Sequence, residues 1–235
     1  MKAGLAAALV SLGSVSSTWV AEAMGNYFDK VDMIDIREIE INLGEKEPLV
    51  LYQGKPLGKY DCVYVKGSFR YNPVLRAITS CLYSQAYMPV KAAAFTIGHD
   101  KLLTQLQLQR AAIPMPRTYI AATPKAAKEI LEKVAYPIIM KFPEGTQGKG
   151  VMFAESFAAA SSMLDALIAL KQPFIIQEYI ETAGTDIRVI VVGDKAVASM
   201  KRRAVDGEKR ANIHQGGKGE AFVPTPHMRK IAVQV

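Results

Sequence analysis

Residues 141–151 read KFPEGTQGKGV, setting Lys141 and Lys149 around Gly145, Gly148 and Gly150. Lysine ammoniums supply positive charge and glycines let backbone N–H groups approach a ligand closely, so this composition suits a phosphate. The spacing excludes the common phosphate loops. A P-loop needs four residues between its first two glycines and a Ser or Thr after its lysine; here only Thr146 and Gln147 separate Gly145 from Gly148, and Gly150 follows Lys149. A dinucleotide-binding turn needs a third glycine where Phe153 stands. A protein kinase carries its lysine after the glycine loop, together with HRD and DFG segments that are absent here. His99, His214 and His227 are too scattered for a metal cage, and Cys62 and Cys81 belong to no CxxC or Cys/His cluster. The cysteines read as buried thiols in a reducing compartment. No motif for an activated Ser or Cys nucleophile is present.

Two strand-like runs, YPIIMKF and VMFAES, flank the glycines. P-loops and Rossmann turns hold phosphate at the start of a following helix. A loop between two strands works differently, as a flap that folds over the phosphates, with Lys141 fixed on the strand leading in. The bland alternative is an exposed hairpin tip with solvated lysines.

Several elements must position this loop. HDKLLTQLQLQRAAI predicts a helix with Leu102, Leu103 and Leu106 on one face. The prolines of IPMPRTYIA permit only an edge strand or an extended entry. Thr123 and Pro124 mark the N-cap and first turn of a helix. Helix SFAAASSMLDALIALKQ and strand PFIIQEYI follow, and TDIRVIVVGDKAVASMKRRAV reads as two strands joined at Gly193-Asp194. Upstream, AGLAAALVSL, VDMIDI and YDCVYVKG are apolar runs suited to buried parallel strands, with helical STWVAEAMGNYF and NPVLRAITSCLYSQAY between or after them. A hairpin is expected around Gln53-Gly54-Lys55, and the whole reads as a small doubly wound domain. The N-terminus resembles a short signal peptide ending at Ala21-Glu22-Ala23, but strand, Gly/Ser turn and helix is the favoured reading. No run of about 18 apolar residues occurs to span a membrane. With 235 residues, 50% of them hydrophobic, the chain can bury a sizeable core in one or two domains. Its net charge of +7 fits anionic ligands, and 22% charged residues is ordinary for a globular protein.

HDKLL at 99–103, the glycine loop, IIQEYIETAGTDIRVIVVGDKAVASMKRRA at 175–204 and RANIHQGG at 210–217 occur in that order. As a set they resemble the ATP-grasp carboxylate–amine ligases, specifically the RimK-like α-L-glutamate ligases that modify the C-terminus of a ribosomal protein. The resemblance covers about residues 91–235 and is looser upstream. It implies an α/β (α+β) ATP-grasp fold with a pre-ATP-grasp, Rossmann-like domain over 1–93. A central subdomain with the flap would span 94–175, and the start of the C-terminal subdomain 176–235.

The roles that follow are implied by the resemblance. Lys101 would reach an ATP phosphate and Lys141 the α- and β-phosphates, under a lid of Gly145, Thr146, Gln147, Gly148, Lys149 and Gly150. Gln177, Glu178, Tyr179 and Ile180 would lie beside adenine, Asp186 at the ribose and Lys201 in the ATP site. Arg203, Arg210 and Asn212 would face the phosphates or an acyl-phosphate intermediate. Magnesium would accompany ATP, but the residues after Glu220 contain no Asp, Glu or Asn. Its ligands are therefore expected beyond Val235, with the C-terminal part truncated. The implied partners are ATP, glutamate and a carboxylate acceptor on a protein tail or small coenzyme. A cytoplasmic assembly of identical chains, away from membranes, is expected.

The implied chemistry suits these residue types. A carboxylate acylates poorly because oxide would have to leave; phosphorylation makes it an acyl phosphate that an amine converts to an amide. Phosphoryl transfer asks a protein mainly for positioning and charge neutralisation. Structural alternatives stand beside each role: Glu178 and Tyr179 as a strand end, Asp186 pairing with Arg188, and Lys201-Arg202-Arg203 as a protective edge. Lys195, Lys201, Arg202, Arg203, Lys209, Arg210 and Lys218 also suggest an RNA- or ribosome-binding module, though Asp194, Asp206 and Glu208 interrupt them. A nucleotide-binding fragment without turnover is the remaining alternative.

Overall fold

The computed structural model describes residues 4–44, 46–143, 150–205 and 216–235. The chain forms two units, Met1–His99 and Asp100–Val235. The first runs β1 (Ala6–Ser11), α1 (Val15–Met24), β2 (Lys30–Asp35), β3 (Ile39–Asn42), β4 (Leu49–Tyr52), β5 (Lys55–Pro56), β6 (Cys62–Val65), α2 (Asn72–Leu82) and α3 (Ala92–Ile97). β1 lies between β2 and β6 and is parallel to both. A central parallel strand is covered on both faces, which is why its sequence is a continuous apolar run. β3, β4 and β5 make a small antiparallel sheet. Its second turn places both Gln53 (φ 52°) and Gly54 (φ 73°) in the left-handed region, the geometry of a tight hairpin. Phe95 of α3 is buried in this unit's core, and Arg76 Nη1 donates to Thr96 Oγ1 at 3.0 Å. These ties explain why the unit extends to His99 rather than ending at 93.

The second unit runs α4 (Lys101–Arg110), β7 (Thr118–Tyr119), α5 (Pro124–Leu131), β8 (Ile138–Lys141), β9 (Val151–Ala154), α6 (Phe157–Ala169), β10 (Ile175–Glu178), β11 (Thr185–Val192), β12 (Lys195–Arg203), β13 (Lys218–Ala221) and α7 (Pro226–Gln234). α4 departs from expectation: it is shorter than 99–113 and none of its residues is buried, although three leucines share a face. Its start is firm, because Asp100 Oδ1 accepts from the N–H groups of Leu102 (2.7 Å) and Leu103 (2.9 Å). Thr123 caps α5 by accepting from Ala126 N–H, and Ser156 caps α6 by accepting from Ala159 N–H.

β7, β10, β8 and β9 form one antiparallel sheet in that order, with β7 at the edge as the prolines require. Side chains alternate between its faces. Ile138, Met140, Ala154 and Ile176 enter a core with Ala127, Leu131, Leu164 and Leu167 of α5 and α6. Each large apolar side chain buried there contributes roughly 1.5–3 kcal/mol. The opposite face carries Thr118, Gln177, Ile139 and Phe153 in one row and Ile175, Lys141 and Val151 in the next.

A second sheet of β11, β12 and β13 turns at Gly193, whose φ of 62° lets the hairpin close. α7, capped by Thr225 Oγ1 accepting from Met228 N–H, packs on β11 and β12. The chain mixes helices with parallel and antiparallel sheets, in keeping with the expected α/β class. Among the described residues no helix is long and apolar enough to cross a membrane.

Candidate nucleotide site

The face of the β7-β10-β8-β9 sheet away from α5 and α6 brings Lys141 and Gln177 together. Lys141 Nζ donates to Gln177 Oε1 at 2.5 Å, and Gln177 Nε2 donates to Thr118 Oγ1 at 2.6 Å. Gln177 is only 6% exposed. Around these polar groups the face is apolar, with Ile139, Ile175, Val151 and Phe153. Such surroundings disfavour charge: burial lowers the Lys141 pKa, and the nearby Lys101 charge lowers it further.

Lys101 comes from α4. Its backbone N–H donates to Pro143 O at 3.0 Å and its Nζ reaches the same oxygen at 3.3 Å, which fixes the helix start beside the end of β8. Two ammoniums near a partly buried face form a locus of positive potential that an anion would neutralise. ATP phosphates fit this donor set: two lysines, and a Gln177 carbonyl that aims one of them.

The other expected adenine residues are already engaged. Glu178 N–H donates to Arg117 O at 2.9 Å, while Glu178 Oε1 accepts from Arg117 N–H at 2.9 Å. Tyr179 N–H donates to Pro137 O at 3.4 Å, and the Tyr179 ring meets Phe153 edge-on with centroids 5.0 Å apart. Burial raises the Tyr179 pKa, with Glu181 adding to the effect. Glu178 therefore ties β10 to the β7 approach, and reading a base by N–H groups would fall to Ile180, which is half exposed.

Asp186, expected at the ribose and with Arg188 as its structural alternative, is paired with Arg202. Arg202 Nε and Nη2 grip its two carboxylate oxygens at 2.6 and 2.7 Å, directly across the β11–β12 ladder. Alternation puts Lys201 and Arg203 on the other face of that hairpin, and Arg203 Nη2 lies 3.3 Å from Glu220 Oε1. Lys201, Arg202 and Arg203 thus form no single basic patch. Gly145, Thr146, Gln147, Gly148, Lys149, Lys209, Arg210 and Asn212 lie outside the described residues; Gly150, just inside, has φ 72°. Sequence reasoning missed Thr118 and gave Arg202 no tie to Asp186; both partnerships become visible only with strand register.

Among the described residues, no three His, Cys, Asp or Glu side chains gather to hold a metal.

Comparison with known proteins defines the class first. The crystal structure of a RimK domain ATP-grasp protein from Sphaerobacter thermophilus superposes with TM-score 0.70 at 18% identity, over 98% of this chain and 80% of that one. The ATP-grasp ligase PsnB, in complex with a minimal precursor, Mg and ADP, superposes with TM-score 0.68 at 17% identity, over 97% of this chain and 79% of that one. The fold is ATP-grasp. Residues 98–235 match the RimK-like ATP-grasp domain. The probable alpha-L-glutamate ligase of Vibrio cholerae serotype O1 is 36% identical over 100% of this chain and 78% of its own length. Its namesake in Aliivibrio fischeri is 35% identical over 99% of this chain and 78% of its length. The chain belongs to the RimK-like ATP-grasp ligase family.

Proposed function

We propose that the protein is an ADP-forming carboxylate–amine ligase that adds L-glutamate to a carboxylate through an acyl phosphate. The observation that carries this reading is Lys141 of β8, held by Gln177 Oε1 at 2.5 Å, with Lys101 of α4 anchored at Pro143 O and close enough for its charge to act on Lys141. Lys141 would hold the α- and β-phosphates as negative charge moves toward ADP, and Lys101 would steady the chain of phosphates from the start of α4. Magnesium would add charge neutralisation when bound, from ligands outside the described residues. The γ-phosphoryl group passes to an acceptor carboxylate oxygen, and ADP leaves. The amine of glutamate then attacks the acyl carbon, the C–N bond forms, phosphate departs, and the amine loses a proton.

Glutamate is supported by the names of the most similar relatives. A peptide or protein tail as acceptor is supported by the solved neighbours PsnB, complexed with its precursor, and the macrocyclase MdnC, bound to its precursor peptide. The splitting of Arg202 from Lys201 and Arg203 across two faces weakens the RNA-binding reading.

The test is ATP-dependent ADP formation with glutamate and a peptide acceptor. Lys141→Ala is expected to lower it at least about a hundredfold, the scale of removing one electrostatic stabiliser of a transition state. Turnover like that of the unaltered protein would sink the assignment.

A further inference from the structure

The partners of Lys141 form a chain of hydrogen bonds that runs in one direction. Thr118 has one hydroxyl proton, and its Oγ1 donates it to Pro116 O at 3.0 Å. With that proton engaged, only lone pairs are left to meet Gln177, whose Nε2 donates to Thr118 Oγ1 at 2.6 Å. A carboxamide that donates at one end presents its oxygen at the other, and Lys141 Nζ lies 2.5 Å from that Oε1. Turning the amide over would set its NH2 donors against an ammonium and its oxygen against a hydroxyl whose proton is already used. At 6% exposure, Gln177 has little access to water that could repair either mismatch.

We propose that Thr118 is a positioning residue for nucleotide binding: it fixes the orientation of the Gln177 amide, and the Gln177 oxygen in turn holds the Lys141 ammonium where the phosphates are received. The inference rests on the reading of Lys141 as a phosphate ligand. Strand pairing explains why this threonine can serve, since Thr118 sits directly opposite Gln177 and Ile139 lies beyond it in the same row. β7 is a two-residue edge strand, and the hydroxyl of Thr118 is engaged on both sides, donating to Pro116 O and accepting from Gln177.

ATP affinity of the full chain, measured by calorimetry from about pH 7 to about pH 10, reads both the strength and the protonation of the site. Thr118→Val removes the acceptor and keeps the shape. It is expected to weaken ATP binding about tenfold, the equivalent of one hydrogen bond to a charged group. Its alkaline loss of affinity should also move to lower pH, because an ammonium without its carbonyl partner gives up its proton sooner. Thr118→Ser should stay within about twofold of the unaltered protein, since it retains both hydrogen-bonding roles. Should Thr118→Val fail to fold, Thr118→Ala carries the same expectation.

Gln177→Glu supplies the sharper control. A carboxylate offers oxygen at both ends, so its orientation no longer matters. The alkaline limb should move to higher pH, and adding Thr118→Val in that background should leave the limb in place. A purely structural threonine would give the same loss in both backgrounds and no movement of the limb, and that result overturns the proposal. If Lys141→Ala abolishes ATP binding while Thr118→Val changes neither affinity nor limb, the phosphate reading stands and the positioning role falls. If Lys141→Ala retains ATP binding, both fall.

Discussion

Lys141 holds a positive charge on a face that penalises it, and the penalty has two separable causes. Burial is the larger and the charge of Lys101 the smaller. Lys101→Met removes only the second. The Lys141 pKa should therefore rise yet stay below the ordinary lysine value, which 13C NMR of labelled lysine side chains would follow directly. No movement would mean that the two ammoniums do not sense each other. The sign for stability follows from linkage: folding lowers this pKa, so the unfolded chain binds the proton more tightly. Between the lowered value and the ordinary lysine value, stability increases as pH rises; below that window the full cost of the buried charge is present. Lys101→Met should make this alkaline gain smaller. On the proposed reading, a phosphate at Lys141 would offset both causes, and part of its binding energy would come from that relief. The Asp186–Arg202 pair differs, because each charge already has a bidentate partner.

At the scale of elements, Gly150 is constrained where the chain enters β9. Gly150 has φ 72°, and a Cβ there would lie 2.3 Å from Cδ2 of Phe142, whose N–H donates to Gly150 O at 3.2 Å. Gly193, at the β11–β12 turn, has φ 62° but open space around it. Gly193→Ala should therefore cost only the left-handed strain, about 1 kcal/mol, whereas Gly150→Ala adds a clash and should cost roughly 2–3 kcal/mol in chemical denaturation. Equal costs would show that Phe142 yields freely. The same contrast explains what could be read from the amino-acid string. Gly193-Asp194, Thr123-Pro124 and the Gln53-Gly54 hairpin were legible because each is settled by neighbouring residues. Thr118 and Gln177 are separated by 59 positions, and Lys141 and Gln177 by 36, so their meeting depends on sheet register. The alternative pairing of Asp186 with Arg188 considers only its own strand; the ladder places Arg202 directly opposite. The run Lys201-Arg202-Arg203 looked like one patch because a string of letters hides the alternation of a strand. α7 is local in the same way as Thr123-Pro124, because Thr225-Pro226 carries its start signal.

Across the whole molecule the described residues form one core around Val10, Val63, Leu75 and Ile78 in the first unit and another around Leu131, Ile138, Met140 and Leu164 in the second. The described residues proposed to meet the nucleotide belong to the second unit: Lys101, Lys141, Gln177, Thr118 and the β11–β12 hairpin all follow Asp100. Ligand binding stabilises whatever structure must be intact for the ligand to bind, by about 2.7 kcal/mol at a hundred times Kd. Local openings within that structure become rarer by the same factor, while openings elsewhere do not. Hydrogen exchange read by mass spectrometry should therefore show ATP slowing the amides of β8, β9, β10 and the first turn of α4. Those of β1, β2 and β6 should keep their rates. Protection confined to the first unit would place the nucleotide away from Lys141, and protection spread equally over both would mean that the two cores open as one. Protection of the second unit alone, lost in Lys141→Ala, would tie the family's chemistry in this chain to the face between Thr118 and Val151.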